Sequence, residues 1–204
     1  MTLRPGSGRA LRPTSGLAPA VFLDRDGTMI ADVGYLDSLS RLTFYPWTVD
    51  AIRALNRAGL PVVVVTNQAG IARGFFSEAF VEETHRHIAT RLEAGGARVD
   101  AYYYCPHHPN GRVAAYARSC NCRKPGPGMV DTAASDLGLD PARSFVVGDT
   151  WLDIGLARAV GARGILVRTG AGAAWEARTP NDIAADAVVD NLAAAASWIL
   201  GSLK

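Results

Sequence analysis

The chain has 204 residues, 49% of them hydrophobic, and a net charge of +2, which suits one α/β domain with an ordinary core. So small a charge, with no Lys/Arg run or basic stripe interleaved with aromatics, gives no sign of a nucleic-acid-binding surface. No apolar run reaches membrane-spanning length: "LPVVVVT" and "NLAAAASWIL" suit a buried strand and a packed helix.

The first nineteen residues, "MTLRPGSGRALRPTSGLAP", hold Arg, Pro, Gly and Ser without an acidic group. They show neither an apolar signal core nor an amphipathic period, so residues 1–19 are expected to be a disordered tail ahead of a single domain over 20–204. A cytoplasmic location follows as the expectation, and with it reduced cysteines. Short β-branched runs then alternate with helical patterns. "AVFLD" (20–24), "PVVVVT" (61–66), "AYYYC" (101–105), "SFVVGD" (144–149), "GILVR" (164–168) and "AVVD" (187–190) predict strands. Their apolar positions are continuous, as in strands covered on both faces. Between them, Val49, Ile52 and Leu55 mark a helix stopped at Gly59, and Ser77 can cap a second that carries Val81, Ile88 and Leu92. Met129, Ala133 and Leu137 mark a third, Leu152, Leu156 and Val160 a fourth, and Leu192, Ala195 and Ile199 a last one starting from Asn191. The alternation predicts an α/β fold with a doubly wound, mostly parallel sheet.

Such sheets bind ligands at the carboxyl ends of their strands. Asp24 and Asp26 follow the first strand, Thr66 and Asn67 the second, Asp149 and Asp153 the fourth. Any one of these aspartates alone suits a turn or a helix cap. Together they form a hard oxygen site of the kind that holds Mg²⁺ and a substrate phosphate. The spacing of Asp24 and Asp26 sends both side chains to the same side of the strand, where they can bracket one substrate atom. One carboxylate can attack phosphorus and the other can move the proton.

All three cysteines and two of the four histidines fall within "CPHHPNGRVAAYARSCNC", residues 105–122. Cys105-x-His107, twelve residues, then Cys120-x-Cys122 supply four ligands for a closed structural Zn²⁺ site, with His108 as the substitute for His107. A closed site of this kind would pin the loop just before Lys124. His85 and His87 lie two apart on a helix, do not share a face, and are expected to be packed or solvated rather than catalytic.

"DRDGT", "VVVVTN", "RKP" and "VGDTWLD" stand in the order of the four motifs of the haloacid dehalogenase-like (HAD) phosphatases, which the chain resembles from about Val21 to its late strands. The resemblance implies a HAD-like Rossmannoid fold, Asp24 as nucleophile and Asp26 as general acid/base. It implies Thr66, Asn67 and Lys124 at the phosphate, Mg²⁺ on Asp24, Asp26 and Asp149, and Asp153 orienting the lysine or reaching the ion through water. A zinc loop in place of a large cap domain resembles the branch that holds the heptose bisphosphate phosphatases and the histidinol-phosphate phosphatases. "DVGY", "TNQAG", "CRKP" and the long loop are more similar to the heptose side. That implies Asp32, Val33, Gly34, Tyr35, Gln68 and Ala69 at the sugar end and Arg123 on a second phosphate. Ala69 replaces the Ser usual there, and Thr150 a common Lys. The expected partner is a small sugar phosphate, with no nucleic acid or membrane, acted on by a monomer. Histidinol phosphate is the alternative substrate, a nucleic-acid 3′-phosphatase is more remote, and a non-catalytic zinc-stabilised binding domain is the reading from another class.

Overall fold

The computed structural model describes residues 2–3, 17–178 and 183–203. After a two-residue strand β1 (Thr2–Leu3), the chain runs β2 (Val21–Leu23), α1 (Thr48–Arg57), β3 (Val62–Asn67), α2 (Ala69–Arg73), α3 (Glu78–Ala94) and β4 (Ala101–Cys105). It continues α4 (Gly128–Leu137), β5 (Phe145–Gly148), α5 (Trp151–Ala159), β6 (Arg163–Val167), α6 (Gly172–Glu176), β7 (Ala187–Val189) and α7 (Leu192–Ser202). Most of the expected 1–19 tail, residues 1 and 4–16, lies outside the described residues. Ala18 already forms a bridge with Leu139.

The sheet order is β1-β4-β3-β2-β5-β6-β7. β2 through β7 pair in parallel and only β1 is antiparallel, against β4. After β1 at one edge, the chain enters the sheet centre with β2, builds outward through β3 and β4, then returns to the other side of β2 with β5. The crevice of a doubly wound sheet opens at that reversal, between the carboxyl ends of β2 and β5.

Burial on both faces explains the continuous apolar runs. Val21 and Leu23 join Val62, Val64 and Val147 in the core beneath α1, α3 and α7. Phe22 joins Val63, Val65 and Val146 in a second core beneath α4 and α5. Each fully buried Val or Leu contributes about 1.5–3 kcal/mol over its exposed state. Helix ends follow local chemistry. The Ser77 hydroxyl accepts from the Phe80 N–H at 3.2 Å, and the Asn191 side chain accepts from Ala193 and Ala194.

Leu152 departs from its expected core role. It is 40% exposed, and the buried face of α5 is Trp151, Asp153, Ile154, Leu156 and Ala157. The first turn of α5 opens onto the crevice, so a carboxylate takes the inward position there and the leucine faces out. α2 and α6 carry no visible period because five residues are too few to repeat a face.

His85 is fully buried, stacked on Tyr102 with ring centroids 4.7 Å apart, and its Nε2 lies 3.4 Å from Arg25 Nη1. His87 is exposed. Burial first, and then the Arg25 charge, hold the His85 pKa well below its usual 6.5. The folded state therefore keeps His85 neutral, and its stabilising effect is complete above pH 6.5 and lost as pH falls toward the lowered value. Below pH 6.5 this single group is expected to cost about 1.4 kcal/mol of stability per pH unit. Denaturant unfolding between pH 7.5 and 5 should show a shallower acid loss in His85→Gln than in the native protein.

Candidate active site

The strand ends gather the chemistry at one cleft, whose wall holds Asp24, Asp26, Thr66, Lys124, Asp149 and Asp153. Around them stand Asp32, Gly34, Asn67, Arg123, Thr150 and Leu152. About 630 Å³ of empty space, open solvent included, lies among these residues.

Lys124 is 4% exposed and enters from the loop before α4. Its Nζ donates to Asp24 Oδ1 at 2.5 Å, Asp153 Oδ1 at 2.7 Å and the Val65 carbonyl at 3.0 Å. All three protons of the ammonium are thus directed. The backbone of Lys124 is clasped as well: its N–H donates to Asn67 Oδ1 at 3.0 Å, and Asn67 Nδ2 donates to its carbonyl at 3.3 Å. Asn67, expected at the phosphate, therefore holds the lysine's main chain. Asp153 Oδ2 accepts from both the N–H and the hydroxyl of Thr150, so both its oxygens are engaged by the protein.

Asp26 is held from behind. Arg25, 2% exposed, donates Nε and Nη2 to its carboxylate at 2.9–3.1 Å, and Gln68 Nε2 donates to its Oδ2 at 2.9 Å. Gln68 also donates to Thr66 Oγ1 at 2.8 Å. Gln68, expected at the sugar, is 4% exposed and ties Asp26 to Thr66 instead. Of the other residues expected at the sugar end, Asp32, Gly34 and Arg123 line the cleft. Val33 packs against the core, Tyr35 lies against Phe75, and Ala69 begins α2.

The loop after β6 completes the wall. Ala171 N–H donates to Asp149 Oδ2 at 2.8 Å, and the Thr169 hydroxyl donates to the Gly27 carbonyl at 2.6 Å. Gly27 has φ +82°, and a Cβ there would sit 2.2 Å from Asp149 Oδ2. Sequence reasoning missed Arg25 and this loop. The glycines of "RTGAG", placed after a strand, were the available signal for the loop.

The carboxylates outnumber the one ammonium. Burial, opposed by Lys124 but reinforced by Asp153, Asp149 and Asp26, raises the Asp24 pKa well above the usual carboxylate range. Burial also pushes Asp149 up to about 7, against the pull of the Ala171 N–H. Burial alone would depress Lys124, yet Asp153 and Asp24 hold its pKa above the usual value. A group of oxygens with this much unrelieved repulsion fits a divalent cation.

A second cluster forms at the end of β4. One donor atom each from Cys105, His107, Cys120 and Cys122 lies within 4.8 Å of all the others, an arrangement able to hold a metal ion. The sulfurs are 3.1–3.5 Å apart, and His107 Nδ1 is 3.3 Å from Cys122 Sγ. His108 stays outside, its Nδ1 accepting from the Asn110 N–H.

A protein-family profile described as HAD-hydrolase-like matches residues 121–195. D-glycero-β-D-manno-heptose-1,7-bisphosphate 7-phosphatase of Salmonella typhi is 43% identical over 91% of this chain and 91% of its own length. The Escherichia coli K12 protein of that name is 44% identical over 91% and 90%. The structure of D,D-heptose 1,7-bisphosphate phosphatase from B. bronchiseptica, complexed with magnesium and phosphate, superposes with a TM-score of 0.80. It is 33% identical over 90% of this chain and 99% of that one. The chain belongs to this heptose bisphosphate phosphatase family of HAD-like hydrolases.

Gly27→Ala puts a methyl group onto Asp149 and forces a strained backbone. It is expected to lower kcat/KM with any phosphate ester on the order of 100-fold, with the far-UV spectrum retained. Steady-state kinetics beside circular dichroism check this.

Proposed function

We propose that the chain removes the 7-phosphate of D-glycero-D-manno-heptose 1,7-bisphosphate through an aspartyl-phosphate intermediate, in the synthesis of nucleotide-activated heptose. The observation that carries this reading is the buried Lys124 bridging Asp24 and Asp153 on the same cleft as Asp26, Thr66 and Asp149, in a chain of this family. On the same reading the enzyme is a cytoplasmic monomer acting on a small soluble substrate. No helix among the described residues is long and apolar enough to cross a membrane.

In the first step an Asp24 carboxylate oxygen attacks phosphorus, and the bond from phosphorus to the sugar oxygen breaks. Asp26, protonated, gives its proton to that leaving oxygen. In the second step Asp26, now a carboxylate, takes a proton from water as the water oxygen attacks the phosphorus of the aspartyl-phosphate. Asp24 is released, with inorganic phosphate as product. Arg25 and Gln68 hold Asp26 in place for both proton transfers. Lys124 and Thr66 meet the charge on the transferring oxygens, and Lys124 also fixes the rotamer of Asp24 through Oδ1. Asp24 and Asp149, with the main-chain carbonyl of Asp26, would hold Mg²⁺, which would neutralise phosphoryl charge; the carboxylates of Asp26 and Asp153, each with both oxygens engaged, would stay outside the direct ligands. Cys105, His107, Cys120 and Cys122 would hold Zn²⁺ with no coordination position left for water, a structural role. Arg123 on the cleft wall would bind the 1-phosphate through its planar fork.

Asp24→Asn is expected to abolish turnover without unfolding the protein. With native enzyme, phosphate release from the heptose bisphosphate should far exceed release from histidinol phosphate, whose ammonium would face Arg123. A preference for histidinol phosphate would replace the substrate and leave the phosphatase reading intact. Purified, reduced protein should contain about one zinc per chain by elemental analysis, while activity depends on added Mg²⁺. Cys120→Ser should lower the melting temperature and the zinc content together.

A further inference from the structure

His85 lies on the inward face of α3, with Val81, Ile88 and Leu92. Two tyrosines of β4 fix its ring: Tyr102 stacks on it at 4.7 Å, and Tyr104 meets it edge-on at 6.0 Å. Tyr104 is itself anchored, its hydroxyl donating to Glu78 Oε2 at 2.7 Å at the start of the same helix. An apolar ring would fill this place at less cost. Among the described residues His85 Nδ1 is buried without a hydrogen-bond partner, and a polar atom left that way keeps its desolvation penalty. What the imidazole has and an apolar ring lacks is Nε2, 3.4 Å from Arg25 Nη1. A guanidinium carries no acceptor, so Nη1 donates and the neutral ring accepts.

The other edge of the same guanidinium holds Asp26. Arg25 Nε donates to Oδ2 at 3.1 Å, and Nη2 donates to Oδ1 at 3.1 Å and to Oδ2 at 2.9 Å. A rigid planar fork that meets a carboxylate on one edge and an imidazole on the other has its tilt fixed by both. The imidazole, held by β4, therefore helps decide where the carboxylate sits. Gln68 adds its donation to Oδ2 at 2.9 Å. Among the described residues Oδ1 has one donor, Arg25 Nη2, and so keeps room for the proton that moves. A chain of contacts thus runs from α3 to the cleft through His85, Arg25 and Asp26.

We infer that His85 is a positioning residue for the general acid: by accepting from Arg25 it sets the guanidinium that keeps the Asp26 carboxyl within reach of the leaving oxygen. This rests on the aspartyl-phosphate reading above, in which Asp26 protonates that oxygen. His85 is fully buried and acts only through Arg25. Without the acceptor the fork loses one of its two fixed edges, and Asp26 can drift. Proton transfer in a transition state depends steeply on such placement. A leaving group that needs a proton then suffers, while one that departs as a stable anion does not.

The test compares heptose 1,7-bisphosphate, whose sugar oxygen is a poor leaving group unless protonated, with p-nitrophenyl phosphate, whose phenolate leaves unaided. Histidinol phosphate, also an alkyl ester, serves equally as the first substrate. Because kcat/KM counts steps only up to release of the leaving group, the later work of Asp26 as a base does not enter. His85→Phe keeps a ring against Tyr102 and removes the acceptor. His85→Gln gives up the ring and keeps an acceptor within reach of Arg25. The ratio of kcat/KM for the alkyl ester to that for the p-nitrophenyl ester is expected to fall about tenfold in His85→Phe, mostly through kcat, and to recover most of its native value in His85→Gln. Equal losses on both esters would overturn the inference by showing a structural role. So would an unchanged ratio in His85→Phe, or a lower ratio in His85→Gln than in His85→Phe. Asp26→Asn is the control and should lower the same ratio more steeply. An equal effect of Asp26→Asn on both esters would instead remove the general-acid reading, and the role of His85 with it. Should His85→Phe fail to fold by circular dichroism, His85→Leu removes the same acceptor with a smaller side chain and is read by the same ratio.

Discussion

The Lys124 ammonium, held between Asp24 and Asp153 and almost out of contact with solvent, is the interaction on which the cleft depends. It joins the end of β2 to the first turn of α5 across the reversal in the sheet, and its third proton reaches the β3 carbonyl of Val65. A buried ion pair of this kind adds little net stability over apolar packing, but removing one partner costs about 3–5 kcal/mol because the other charge is stranded. Its value here is positional. Charges brought to one place by three separate elements keep a fixed geometry only if something between them is attracted to all of them.

Lys124 does not lie on a strand, so its position has to be imposed from outside the sheet. Two devices do this. Asn67 at the end of β3 exchanges a pair of hydrogen bonds with the lysine's own peptide groups. The Cys/His cluster draws Cys105, at the end of β4, toward Cys120 and Cys122, only two residues before the lysine. Three thiolates and an imidazole closing a loop of this length on a metal would stiffen it in a way that no small apolar cluster could. With a metal on them, the long insertion would be a fixed wall carrying Arg123 and abutting α2.

The remaining carboxylates are set by close packing. Asp26 is gripped by the Arg25 fork and by Gln68, and Asp149 by the Ala171 N–H. Gly27 and Gly170 let two loops close on Asp149, because a Cβ at either position would overlap its Oδ2 at 2.2 Å. Donors and acceptors arranged in advance need no reorganisation when charge moves in the reaction, and that preorganisation is the main source of electrostatic catalysis.

The sequence by itself determined the order of the six parallel strands and five longer helices, the doubly wound sheet, the family, and the meeting of Asp24, Asp26, Thr66, Lys124, Asp149 and Asp153 on one cleft. Local chemistry is enough for these: continuous β-branched runs, Ser77 and Asn191 as caps, and carboxylates placed straight after apolar strands. It also marked the four side chains of the Cys/His cluster, because cysteines at such short spacings are rare. Tertiary structure alone decided which neighbour each of those groups meets. Gln68 and Asn67 carry the same amide that could contact substrate, yet both hold other site residues, because β3 places them against Asp26 and the Lys124 backbone. Leu152 follows the helical period, but its turn faces a cleft rather than a core. Partners distant in sequence set those outcomes, and hydrophobic period and motif spacing carry information only about neighbours along the chain.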